Sequence, residues 1–149
     1  MQRPQEYEDL ITKKFFKVAP ATAGAADAFL KNAQDYLHAC KLLQEGFPMS
    51  AFSLAYDGLS QLFQAIFEHY EVQVKPSLRN SATQVICREL GMQISDQCFV
   101  STIHERRKQT SYQSPFPPAL PYEIENLIRI LEMYIPKAYK VLNRPPLST

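Results

Sequence analysis

The chain has 149 residues, of which 46% are hydrophobic and 21% charged, and a formal net charge of +1. That length and balance suit one soluble domain around a single core. They exclude nucleic-acid binding through a global basic field, so any such site has to be local.

The N-terminal stretch MQRPQEYEDL is polar and charged. It lacks the apolar core of a signal peptide, and no apolar run in the chain is long enough to span a bilayer. A cytoplasmic protein is expected. Residues 5–17, QEYEDLITKKFFK, predict a short amphipathic helix, and VAPATAGAA at 18–26 reads as a linker. Residues 1–24 are therefore expected as a loosely attached helix and linker, 25–142 as the helical domain, and 143–149 as a tail.

From 25 to 45, Phe29, Ala33, Tyr36, Cys40 and Leu43 recur at spacings of three and four, one apolar face of a helix. Gly46 stops it, and Pro48 with Ser50 opens the next helix. That helix, about 51–72, carries Ala51, Leu54, Ala55, Leu59, Leu62, Phe63, Ile66 and Tyr70. The stripe is too wide for one neighbour, so this helix is expected at the centre. Gly58 costs it about 1 kcal/mol relative to alanine. With Ala51 and Ala55, Gly58 would let a partner helix approach closely.

KPSLRNS at 75–81 breaks the pattern, a short helix spans 82–90, and Gly91 ends it. Ser95 or Asp96 caps a helix over about 96–110 whose inner face is Phe99, Val100 and Ile103. SPFPPALP at 114–121 is nearly barred from helix. The last helix runs from Pro121 or Tyr122 towards Leu142, with Pro136 expected to kink it or break its ladder. Period-two alternation is scarce, so strands are poorly supported. The fold class is all-α: an up-and-down bundle of four main helices plus short extra helices.

Cys40, Cys87 and Cys98 each stand beside an apolar residue, with no CxxC pair and no metal-ligand spacing. Buried free thiols are expected, and no metal or cofactor. Gly-rich phosphate loops and nucleophile elbows are absent from the sequence.

Two stretches together resemble a known family. Residues 39–66, ACKLLQEGFPMSAFSLAYDGLSQLFQAI, give Ala-x-x-Leu-Leu-x-x-Gly, a turn, then Ala-x-x-Leu-Ala-Tyr-x-x-Leu. Residues 104–115, HERRKQTSYQSP, end a later helix in arginine and lead into a proline-bearing loop. The pair resembles HEPN domains (higher eukaryotes and prokaryotes nucleotide-binding) over about residues 25–142. The resemblance implies a helical homodimer that engages RNA or nucleotide phosphate at a cleft between subunits. It also implies a defence or toxin–antitoxin setting, a nucleotidyltransferase-like partner protein, and in some members metal-independent endoribonuclease activity. The ribonuclease members place a histidine after the arginine. Here His38, His69 and His104 all lie upstream of Arg107. Tyr112, after four intervening residues, stands where that histidine could have been.

Several candidate site residues follow. Arg106, Arg107 and Lys108 are either a solvated helix C-terminus favoured by the dipole or a phosphate contact. The two arginines point about 100° apart and cannot do one job; the family match favours Arg107. Tyr112 is either a half-buried aromatic or a group that binds phosphate or stacks on a base. His104 shares a helical side with Arg107 and is either an ordinary satisfied histidine or a replacement for the missing base. Asp57, in a largely apolar helix, either pairs with Arg106 or Arg107 or faces solvent. His38 is expected to be exposed, and Glu68 and His69 to lie on a rim. The rival reading is a catalytically inactive protein-interaction domain, contacting a partner through Phe15 and Phe16 or through Phe116 and Leu120.

Overall fold

Ten of the 22 residues from Pro48 to His69 are buried, spread over more than one side of the helix, and this places it at the centre. A computed structural model describes residues 2–108 and 119–145. In chain order the elements are α1 (Gln5–Thr12), β1 (Phe16–Val18), α2 (Ala25–Leu43), α3 (Pro48–His69), β2 (Val72–Val74), a single 3-10 turn (Pro76–Leu78), α4 (Arg79–Glu89), α5 (Ile94–Lys108) and α6 (Pro121–Val141). The protein is an all-α helical bundle with α2 and α6 packed along α3. Among the described residues no helix is long and apolar enough to cross a membrane.

The close approach expected at Gly58 is present. A Cβ there would lie 3.3 Å from Tyr36 Cβ, 3.4 Å from Leu131 Cδ1 and 3.6 Å from the Ala33 carbonyl oxygen. Gly58 thus sits where α2 and α6 both close on α3. The buried side of α2 is Leu30, Ala33, Leu37 and Cys40. Only Ala33 and Cys40 belong to the stripe read from spacing; Phe29, Tyr36 and Leu43 flank it, half-buried. α6 continues past Pro136, which supplies no N–H to the ladder, to Val141.

Two short strands are present although period-two alternation is scarce. β1 and β2 pair antiparallel, Phe16 opposite Val74 and Val18 opposite Val72. The N-terminal segment is held tightly rather than loosely. Tyr7 and Phe16 are buried, and their rings meet each other and those of Tyr70 and Phe67. Arg3 Nε donates to the Tyr70 carbonyl at 2.6 Å. The Tyr7 and Tyr70 hydroxyls both donate to the Glu89 carboxylate, which ties α1 and the end of α3 to α4. Burial first, then the Glu89 carboxylate, pushes both phenols well above their ordinary range.

α5 is anchored by an acid at its start. Asp96 is buried and accepts from Arg129 Nη2 at 2.6 Å and from Tyr134 Oη at 2.9 Å. Burial pushes its carboxyl up, but the hydrogen bonds from Arg129 and Tyr134 outweigh that and hold it below the ordinary value. A depressed carboxyl stabilises the fold above its unfolded pKa, and that contribution is lost as pH falls through the folded pKa. Asp96→Asn is therefore expected to cost about 2 kcal/mol at pH 7, the scale of a hydrogen bond to a charged group. In urea titrations the gap between variant and wild type should close below about pH 4. A gap that stays constant down to pH 2.5 would show that ionised Asp96 is not what stabilises α5.

Candidate functional site

The last two turns of α5 carry the residues singled out by sequence. Val100 and Ile103 are buried, which turns His104 and Arg107 toward the side of α3 that bears Tyr56 and Asp57. The Tyr56 hydroxyl lies 2.9 Å from His104 Nδ1. The Arg107 guanidinium sits 5.7 Å from the centre of the Tyr56 ring, and its Nη2 lies 3.7 Å from Asp57 Oδ1. The pairing of Asp57 with an arginine across the bundle and its exposure to solvent are both observed: its side chain is 46% exposed.

These residues form one wall of an open groove of about 810 Å3. Ser77, Arg79, Asn80 and Ser81, from the 3-10 turn and the start of α4, form the other. Lys108 lines it too, as do the carboxylates of Asp57 and Glu105. Three permanent cations, Arg79, Arg107 and Lys108, thus face one cavity against two anions. Half-burial of Tyr56 raises its phenol, over the opposing effects of a Ser60 hydrogen bond and the charges of Arg79 and Arg107. Tyr56 therefore stays a neutral phenol at physiological pH. It can donate to His104 Nδ1 or accept from it, so it fixes the imidazole plane in either tautomer.

Arg106 is turned elsewhere. Its Nε lies 3.2 Å from Glu123 Oε2, with the two side chains only 12% and 7% exposed. Glu123 Oε1 in turn accepts the Leu120 N–H at 2.7 Å, closing the first turn of α6. The structure brings together His104, Arg107, Lys108 and Asp57, and places Arg106 in a contact with α6. Tyr112 and Phe116 lie outside the described residues.

Tyr56 and Arg79 also line the groove, and neither carries a site signal in the sequence. Tyr56 is the tyrosine of the Ala-x-x-Leu-Ala-Tyr motif, which marks its position but not its role. Arg79 stands in KPSLRNS, a stretch read only as a helix breaker. His38 is exposed, as expected. Phe16 belongs to the core rather than to a contact surface, while Phe15 and Leu120 are exposed.

Cys40 and Cys87 are buried, and burial pushes both thiols up to about 11. Cys98 corrects the expectation of three buried thiols: it is exposed on α5. A disulfide-exchange reagent such as Ellman's should titrate one thiol rapidly in the folded protein and three after denaturation. Rapid titration of three without denaturant would mean the core around Cys40 and Cys87 opens readily. Among the described residues no group of three or more His, Cys, Asp or Glu side chains is arranged to hold a metal ion.

No protein-family model and no curated protein sequence matches the chain.

Proposed function

We propose that the groove between α3, α4 and α5 binds the phosphate of RNA or of a nucleotide, in a HEPN-like module of defence or toxin–antitoxin type. The observation that carries this is the convergence of Arg107, Arg79 and Lys108 on one cavity that also holds the Tyr56–His104 pair. A guanidinium fork suits a phosphate oxygen pair, and an aromatic beside it suits a base or ribose.

The same groove supplies groups for metal-independent RNA cleavage. With Nδ1 engaged by Tyr56, His104 has Nε2 as its nitrogen for substrate. As a base it would take the proton of a ribose 2′-hydroxyl. The 2′-oxygen then attacks the adjacent phosphorus, the 5′-oxygen leaves and takes a proton from water, and Arg107 balances the charge that develops on the phosphoryl oxygens. A homodimer and a nucleotidyltransferase-like partner protein would go with such a site, in keeping with the family resemblance.

The test is a binding and cleavage assay on single-stranded RNA with wild type, Arg107→Ala and His104→Ala. Arg107→Ala should weaken binding tenfold or more. His104→Ala should keep binding within about threefold and abolish cleavage. Cleavage unchanged in His104→Ala removes that residue as the base. No RNA or nucleotide binding by wild type at 50 mM salt overturns the phosphate site itself.

A second reading has its own observation. Leu42 and Phe47, on either side of the α2–α3 turn, are 86% and 64% exposed. Apolar side chains so exposed suit a catalytically inactive helical interaction domain. It would be favoured by a stable complex with a partner protein that survives Arg107→Ala and is lost in Phe47→Asp.

A further inference from the structure

Behind the basic groove lies a smaller cavity of about 130 Å3 that shares four lining residues with it: Tyr56, Ser60, Arg79 and His104. Its floor is apolar and comes from the core side of α3 and from α5: Leu59, Phe63, Phe67 and Val100. Its edge is polar, with Gln61, Gln64 and Thr83. An apolar floor with a few polar groups at one edge is the chemistry of a flat heteroaromatic ring. The opening is framed by the same Tyr56 and His104 that stand beside Arg107, so a ring inside and a phosphate outside would be parts of one molecule.

Size sets the kind of ring. A cavity of about 150 Å3 holds one benzene ring. The inner pocket matches a single six-membered ring, and a fused bicycle would have to project from it into the groove. The edge groups can meet the polar rim of such a ring. Asn32 Nδ2 donates to Gln61 Oε1 at 3.0 Å, which leaves the Gln61 amide hydrogens for a ligand. Thr83 spends its hydroxyl proton on the Asn80 carbonyl at 2.8 Å and so presents an acceptor. Among the described residues the Gln64 amide has no hydrogen bond, and it can serve as donor and acceptor both.

We infer that the inner pocket is a pyrimidine subsite: the protein takes a pyrimidine nucleotide, or that residue of an RNA strand, with the base on the apolar floor of Phe63 and Val100 and the phosphate at Arg107 and Arg79. The inference rests on the reading of the outer groove as a phosphate site.

Calorimetric titration of the full chain with ribose 5-phosphate, CMP, UMP, AMP and GMP tests it. CMP or UMP should bind at least tenfold tighter than ribose 5-phosphate and than either purine nucleotide. Gln64→Trp, on the half-exposed edge, should plug the pocket and reduce pyrimidine affinity to that of ribose 5-phosphate, which itself should be unchanged. A circular-dichroism melt establishes that the variant is folded; Gln64→Leu, which only removes the amide, should lose threefold or more if tryptophan is not tolerated. Pyrimidine nucleotides no tighter than ribose 5-phosphate, purines equally tight, or a gain that survives Gln64→Trp or Gln64→Leu would each overturn the subsite and leave the phosphate groove standing. Absence of binding by every probe would overturn both.

Discussion

Arg106→Ala should lower the melting temperature by about 6–12 °C, more than Arg107→Ala, one residue on, lowers it. The contrast follows from burial. Arg106 and Glu123 face each other at 12% and 7% exposure. Removing one partner of a buried pair leaves the other charge poorly solvated and costs about 3–5 kcal/mol. Glu123 keeps the Leu120 N–H, so the lower end, about 3 kcal/mol, applies. At this chain length each kcal/mol is worth about 2–4 °C. Arg107 meets Asp57 at 3.7 Å with Asp57 half in water, a geometry worth about 1 kcal/mol or less. Ligand binding should divide the other way: Arg107→Ala loses RNA affinity tenfold or more, and Arg106→Ala loses less than twofold. Thermal melts and RNA titrations on the same two proteins separate the roles. Equal losses of affinity would put both guanidinium groups at the ligand.

This division was only half legible in the sequence. The 100° between successive helical residues says that two arginines serve two faces. It does not say which face is which. That was settled by Glu123, seventeen residues from Arg106 in sequence, across a proline-rich stretch that hides the geometry. The pairing of Asp57 with an arginine was readable because a lone acid in an apolar helix needs a counter-charge or water, and here it has both. Tyr56 was inside the motif but carried no chemical signal of its own, since a tyrosine gains its role from the histidine that faces it. Arg79 was unreadable as a site residue because its wall is built by a turn, and a turn's sequence shows where helix stops rather than where side chains converge.

The fold shows the same boundary between strong and weak signals. Every main helix was legible, because a repeated spacing of three and four over many residues averages out single exceptions. The ribbon of β1 and β2 was not, because three residues per strand give too little alternation to register. The inner face of α2 is rotated by about half of one residue's 100° from the stripe that the spacing picks out. Its sequence offers two overlapping apolar stripes, Phe29–Tyr36–Leu43 and Leu30–Leu37, and only the partner helix selects between them. Gly58 makes that selection: it admits the backbone of α2 at Ala33 and the Cβ of Tyr36, leaving Leu30 and Leu37 to turn into the core.

Gly58→Val should therefore destabilise the fold by about 2–3 kcal/mol, near the upper end of overpacking costs. Valine recovers about 0.5 kcal/mol of helix propensity relative to glycine. Against that, its Cβ already meets Tyr36 Cβ at 3.3 Å, an atom fixed to the α2 backbone that cannot swing away. The two γ-methyls have no room unless α2 or α6 moves off α3. Gly58→Ala brackets the effect. Its single methyl requires a shift of a few tenths of an ångström, its propensity gain is about 1 kcal/mol, and the two should nearly cancel. Chemical denaturation of the two variants reads the spacing directly: a large loss for valine with little change for alanine shows a contact that takes one methyl group with a small shift and has no room for the two further ones. If Gly58→Val melts with wild type, α2 and α3 do not cross at Gly58, and the register that turns Leu30 and Leu37 inward has to be rebuilt. The site would move with it, because α3 carries Tyr56 and Asp57 on the turn that holds Gly58.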